Sequence, residues 1–251
     1  MRNAPAGFDQ ASKPSLSPEV AELATRRELG ALVGTFAPQR LNRFISAMCW
    51  VAIVTGLLAF VVPGLGMLWM MRRLPEFNRK QAAKRLHLFE EGMIVNPPES
   101  DGTVVLRWDG IRLYQDIVQT YVNGVAAYKK YAFVALGKGS STTVTEFFQQ
   151  PETWGAAMQD AVLRAQGPQA LASVLDGQTV SFGDFTLSRT GISTSGNGHL
   201  AWSQVQKVEL RSGQVRVIRT GDPKPWSTDA VNKVANLQIF LALVQRLRTA
   251  A

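Results

Sequence analysis

The sequence predicts an α+β chain, with an N-terminal transmembrane helix followed by two units, each an antiparallel β-sheet or partial barrel closed by one C-terminal α-helix. Three observations carry this expectation. Residues 44–71 form a run of 28 residues without a charged side chain. From residue 86 onward the pattern changes to short apolar runs separated by glycine-containing turns, which reads as strands. Two segments with helical periodicity, near residues 154 and 236, each close a series of such strands.

The apolar run sets the first element. A helix of that length extends about 42 Å at ~1.5 Å per residue, against a hydrocarbon core of roughly 30 Å. One tilted span fits, and two full spans do not. Twelve Phe, Ile, Leu or Val residues contribute about −4 to −7 kcal/mol to insertion. Pro63-Gly64-Leu65-Gly66 kinks the helix or marks its exit, and a re-entrant hairpin is the alternative. Ala52-x-x-x-Gly56 is a small-xxx-small spacing that would let two spans pack as a homodimer.

Ahead of the run, residues 1–17 read as a disordered tail rich in Ala, Pro, Ser and Gly. Residues 18–43 read as a short helix and a pre-membrane segment. Ser17-Pro18-Glu19 supplies an N-cap, a first-turn proline and a first-turn acid, and Gly34-Thr35-Phe36-Ala37-Pro38 breaks the regular structure. The first residues, MRNAPAGFDQ, lack the apolar core of a signal peptide.

The net charge of +8 is local. Residues 1–85 hold 12 Lys/Arg and 5 Asp/Glu, and residues 86–251 hold 15 and 14. A nearly neutral folded part argues against a nucleic-acid partner. The basic residues cluster in the juxtamembrane segment 72–85, at Arg72, Arg73, Arg79, Lys80, Lys84 and Arg85. They are the candidate membrane-surface and topology residues. By the positive-inside rule they place a single-pass protein in the inner (plasma) membrane with its C-terminal domains in the cytosol. The lone Cys49 offers no disulfide framework.

The first unit is expected over 86–167. Its strands lie at Leu86–Leu88, Met93–Val95, Val104–Trp108, Ile111–Val122, Val125–Leu136 and Thr142–Phe148, with a hairpin turn at Asn123-Gly124. Trp154, Ala157, Met158, Ala161, Val162 and Ala165 then share one helical face, and Gly167-Pro168 is expected to stop that helix. The second, smaller unit is expected over 168–251. Its strands lie at Thr179–Leu187, Ile192–Thr194, His199–Trp202, Val205–Leu210 and Val215–Arg219, before a helix from about Asn236 to Arg248.

The halves share a local motif. Gly92-Met93 precedes Leu106-Arg107-Trp108-Asp109-Gly110-Ile111, and Gly191-Ile192 precedes Leu200-Ala201-Trp202-Ser203-Gln204-Val205. Each reads as strand, glycine turn, strand, then Leu-x-Trp-x-x-aliphatic. Antiparallel strands capped by one helix resemble pleckstrin-homology-like (PH-like) domains. The run from Leu88-Phe89-Glu90-Glu91-Gly92-Met93 to Trp108-x-x-Ile111 resembles the bacterial members of that group. With Phe182-Gly183, Arg189-Thr190-Gly191, Trp202 and the closing helix, residues 30–249 are similar to an uncharacterised family of bacterial membrane proteins. These have an N-terminal hydrophobic segment followed by bacterial PH-like domains. The resemblance implies two PH-like units and brings no catalytic residues.

Few motifs carry chemistry. Gly137-Lys138-Gly139-Ser140-Ser141-Thr142 lacks the spacing of a phosphate loop and sits between strands. His87 and His199 have no partner at ligand spacing and read as surface or strand-edge residues, so no metal or cofactor is expected. Glu90 and Glu91 would face opposite ways on a strand. The expected function is a non-enzymatic, membrane-tethered module that meets the lipid bilayer and binds a protein or peptide partner at the inner leaflet. The alternatives are binding of anionic lipid headgroups, or a membrane-bound enzyme or transport component with an unrecognised site.

Overall fold

A computed structural model describes residues 16–40, 47, 48, 50–55, 65, 69, 75, 78–122 and 125–249. The chain opens with helix α1 (Pro18–Arg26), where the Ser17 hydroxyl accepts the Val20 N–H and the proline sits in the first turn. Strand β1 (Leu32–Phe36) follows. After the short helix α2 (Arg79–Ala83) come β2 (Leu86–Phe89), β3 (Gly92–Val95) and β4 (Val104–Arg107). These form a four-stranded antiparallel sheet in the order β1-β2-β3-β4. A second sheet holds β5 (Arg112–Val122), β6 (Val125–Leu136) and β7 (Ser141–Thr145) in sequence order. Helix α3 (Pro151–Leu175) then closes the first unit.

The plan repeats. Strands β8 (Val180–Phe182), β9 (Phe185–Leu187), β10 (Gly191–Thr194) and β11 (Gly198–Ala201) form a four-stranded sheet. Strands β12 (Val205–Arg211), β13 (Gln214–Arg219) and β14 (Pro225–Ala230) form a three-stranded one. Helix α4 (Leu237–Thr249) ends the described chain.

The shared sequence motif has a physical cause. Trp108 is fully buried and its indole N–H donates to the Phe89 carbonyl at 3.0 Å; Trp202 does the same to Ser188 at 3.1 Å. In both units the backbone N–H of the tryptophan bonds back to the residue before the glycine, Glu91 or Thr190. A Cβ on Gly92 would collide with the Leu106 carbonyl, and one on Gly191 with the Leu200 carbonyl. Glycine and tryptophan thus fix the same strand crossing twice. Each helix fills its own unit. Trp154 of α3 meets Phe133 edge-on at 5.4 Å, and Phe240 of α4 lies 5.6 Å from Phe182 and 5.3 Å from Phe185. One apolar core runs through both units.

The outer faces differ. In the first unit α1 and the turn after it cover the outside of the four-stranded sheet, through Ala24 and Leu29 against Phe89 and Ile94. Strands β2 and β3 are consequently buried on both faces and read as continuous apolar runs. In the second unit the corresponding face carries Thr186, Ser193 and the exposed His199.

The N-terminal transmembrane helix is not supported. Among the described residues no helix is long and apolar enough to cross a membrane. Most of 44–71 lies outside the described residues. The stretch that is described, 50–55, is helical but spans only about 9 Å, and its Ile53 is buried while Trp50, Val51 and Val54 are exposed. Strand pairing gives the physical reason why a single crossing fails. Phe36 and Leu86 are cross-strand partners in one antiparallel sheet. The chain that leaves at residue 37 therefore returns to the same place, and the two ends of the intervening segment cannot lie on opposite sides of a bilayer. The first sheet also begins at Leu32, ahead of the apolar run rather than after it.

Two further differences have plain causes. Gly167-Pro168 does not stop α3, which continues to Leu175. An interior proline costs about 3 kcal/mol, and the burial of Trp154, Met158, Val162 and Val174 along the helix offsets it. The expected strand at 179–187 is two strands, because Gly183 turns between them with φ +69°.

Gly92→Ala and Gly191→Ala are each expected to lower stability by about 1–3 kcal/mol. Gly110→Ala, whose added Cβ meets nothing within 4 Å, should stay within about 0.5 kcal/mol of the parent. Urea denaturation of the three variants measures this.

Candidate functional site

The second sheet of the first unit is unusually long on one side. Strands β5 and β6 hold 11 and 12 residues, whereas β12 and β13 in the second unit hold 7 and 6. Strand β7 pairs with β6 only from Ala132 to Leu136. From Ile117 outward, β5 and β6 therefore form a two-stranded arm about 20 Å long. Its partners run to Val122 and Val125. The Asn123-Gly124 pair between them lies outside the described residues. Along the arm Ile117, Val118 and Tyr128 are 36%, 45% and 61% exposed. A lone two-stranded ribbon is marginal in water, so exposed apolar side chains on such an arm stand out from the scattered ones any surface carries.

The base of the arm is fastened. Tyr131 donates its hydroxyl to Glu152 at 2.6 Å, and the Lys129 ammonium lies 3.5 Å from the same carboxylate and 5.0 Å above the Tyr131 ring. The Tyr131 hydrogen bond, then Lys129, hold the Glu152 carboxyl below its ordinary range. Burial first, and then the bond to Glu152, raise the Tyr131 phenol.

The outer edge of β5 decides what the arm can do. Strand β5 is an edge strand. At its inner end the second unit docks on it. The Asn236 N–H donates to the Leu113 carbonyl at 2.8 Å, and the Asn236 side-chain oxygen accepts the Leu113 N–H at 2.8 Å. Asn236 sits at φ +50° and its amide also reaches Gln166 of α3 at 3.0 Å. A chain of amides continues from Gln238 to Gln159 (3.2 Å) and from Gln159 to Gln115. The void left beside this docked segment is only about 10 Å³. Because Leu113 directs its backbone groups away from β6, the period of two directs those of Gln115, Ile117 and Gln119 the same way. No strand of the described chain pairs with them.

The basic residues expected to meet a membrane are placed otherwise where they are described. Lys84 is buried; its ammonium donates to the Pro97 carbonyl and, at 2.5 Å, to that of Ser100, and burial lowers its pKa. Lys80 pairs with Asp101 at 3.1 Å. The Arg85 guanidinium donates to the carbonyls of Ala82 and Lys84 at 2.6 and 2.7 Å, at the end of α2. Arg79 is exposed. Arg72 and Arg73 lie outside the described residues, as does Gly56, while Ala52 is exposed. The structure therefore gathers Lys80 and Lys84 around the loop 97–101 and folds Arg85 back onto the end of α2.

His87 is not a surface residue. It is 6% exposed in β2, and its Nδ1 lies 2.9 Å from the Thr35 hydroxyl. Burial, and then the nearby Arg85, push its pKa down to about 4. His199 is exposed, 3.1 Å from the Ser193 hydroxyl. Among the described residues no three His, Cys, Asp or Glu side chains converge as a metal site would require.

The sequence profile of the family of unknown function DUF6585 matches residues 17–251. The chain belongs to that family. No curated protein and no solved structure matches it. The family match begins at the N-cap of α1 and takes in both units, so it treats the helix, the strand ahead of residue 37 and the duplicated sheets as one sequence unit.

Two outcomes follow. Asn236→Ala removes both side-chain links to β5 and α3 and places alanine at positive φ; it should cost about 1–3 kcal/mol in urea unfolding. For His87, the unfolded chain takes up a proton near pH 6.5 and the folded chain only near pH 4. Stability is therefore full above pH 6.5 and declines as the pH falls through that window. The urea midpoint should drop between pH 6.5 and 5, and His87→Gln should flatten this decline.

Proposed function

We propose that this protein is a non-enzymatic interaction module that binds a protein or peptide partner by adding the partner's strand to the free edge of β5. The observation that carries the reading is the arm. Its outward backbone groups at Gln115, Ile117 and Gln119 continue the line on which Asn236 already docks at Leu113. Exposed edge strands are ready templates for a further strand, and main-chain bonds with alternating side-chain contacts are a recurring mode of peptide recognition. Ile117 and Tyr128 offer the apolar contacts such a partner would cover.

The same reading treats each unit as PH-like, on the plan of four strands, three strands and a closing helix. Binding of anionic lipid headgroups draws less support, because Lys80, Lys84 and Arg85 spend their donors within the chain. The single crossing is withdrawn, and a location at the inner membrane remains a proposal that rests on the uncharged run 44–71.

Peptides selected on the full-length protein from a random display library test the proposal. They are expected to slow amide exchange at residues 115–119. Ile117→Pro removes one outward N–H and leaves the β5–β6 ladder intact. It should weaken the selected peptides about tenfold with little change in the urea midpoint. Failure to select any peptide, or peptides indifferent to Ile117→Pro that protect other residues, would contradict it.

A further inference from the structure

A second feature lies away from the β5 edge, between the two closing helices. Leu163, Gly167, Pro168 and Leu171 of α3 face Ile239, Ala242, Leu243 and Arg246 of α4 across a cleft of about 390 Å³. On α3 these positions are spaced i, i+4, i+5, i+8, and on α4 i, i+3, i+4, i+7, so each set is one face of its helix. The cleft is open because its walls are low where they meet: Gly167, Pro168 and Ala242 are small. Its volume falls in the range of small-molecule sites.

Size and charge together select an occupant. From Leu163 to Leu171 the cleft follows about 12 Å of helix. A volume near the lower end of the small-molecule range suits a ligand with one hydrocarbon chain. The lining is apolar except for Arg246. Arg246 is exposed and makes no hydrogen bond or ion pair with the described residues. Neither wall supplies it with a counter-charge, since α4 contains no acidic residue and α3 contains none between Leu163 and Leu171. A guanidinium is a planar fork that matches a carboxylate in two parallel hydrogen bonds.

We infer that this cleft binds a single-chain carboxylate amphiphile of the fatty-acid type, with its hydrocarbon chain between α3 and α4 and its carboxylate on Arg246. The assignment is independent of the β5 edge. The chain of the ligand would cover Leu163, Leu171 and Leu243, and the headgroup would remain at the solvent-facing rim with the exposed guanidinium.

The test uses the full-length protein and a dansyl-labelled undecanoate as reporter, displaced by unlabelled dodecanoate below its micellar concentration. Saturable displacement at one site per chain is expected. Dodecanol and dodecyltrimethylammonium, which share the chain and lack the anion, should displace about tenfold more weakly. Arg246→Gln should weaken dodecanoate by about tenfold and leave dodecanol unchanged. Ala242→Trp, at an exposed position where the fold tolerates it, should fill the cleft and abolish displacement, with circular dichroism unchanged. Non-saturable binding, equal affinity for the three amphiphiles, or full binding by Ala242→Trp would overturn the inference.

Discussion

Backbone donors and acceptors on a strand edge need partners, and among the described residues the outer edge of β5 finds them at Leu113 alone. There Asn236 supplies one donor from its backbone and one acceptor from its side chain, so that a single residue imitates a short strand pairing. That contact fixes the second unit against the first and sets where α4 begins, one residue later. It also ends there. The helix turns away, and β5 runs on for another nine residues to Val122 with no described strand paired to its outer edge. The docking of the two units and the open template thus share one strand.

The other organising constraint is the pairing of β1 with β2. It joins residues about fifty apart in sequence and makes the start of the first unit precede the apolar run. The bridge from Pro38 to Phe148, with Gln39 donating to the Phe147 carbonyl and Gln149 to that of Ala37, extends β1 to the end of β7 and ties the two sheets together at one corner. The pairing of β1 with β2 is thus made across an intervening 49 residues, 37 to 85. Arg107 ties down the opposite end of the first sheet, donating to the Arg27 and Glu28 carbonyls just after α1 while paired with Asp109. The second unit closes on the same plan with no long intervening segment between β8 and β9, whose turn is Gly183 and Asp184.

Much of the strand order was legible because local chemistry specified it. Asn123-Gly124 marked the β5–β6 hairpin, Gly92 and Gly191 marked the repeated crossing, and the Trp154 face marked α3. What was not legible depends on distant partners. Strand β1 is short, contains Gly34 and is flanked by Gly30 and Pro38, so nothing nearby distinguishes it from a loop; its identity comes from β2. Strand β14 begins with Pro225 and carries Ser227 and Asp229, a composition tolerated because it lies at a sheet edge. The apolar run read as a span because sequence shows hydropathy but not that the flanking strands β1 and β2 pair. Lys84 read as a surface charge because the carbonyls that hold it come from a loop thirteen and sixteen residues on. The open edge of β5 had no signal of its own. Asn236 read only as the start of a helix, and the polar ladder through Gln115, Gln159 and Gln238 is invisible until the helices are placed.

Amide hydrogen exchange along β5 in the full-length protein, without any partner, tests the central claim most directly. The account predicts slow exchange at Leu113, whose N–H is held by Asn236, and slow exchange at Tyr114 and Asp116, which face β6. It predicts fast exchange at Gln115, Ile117 and Gln119. Equal protection of all these amides would mean that the outer edge of β5 is already covered, and would contradict it.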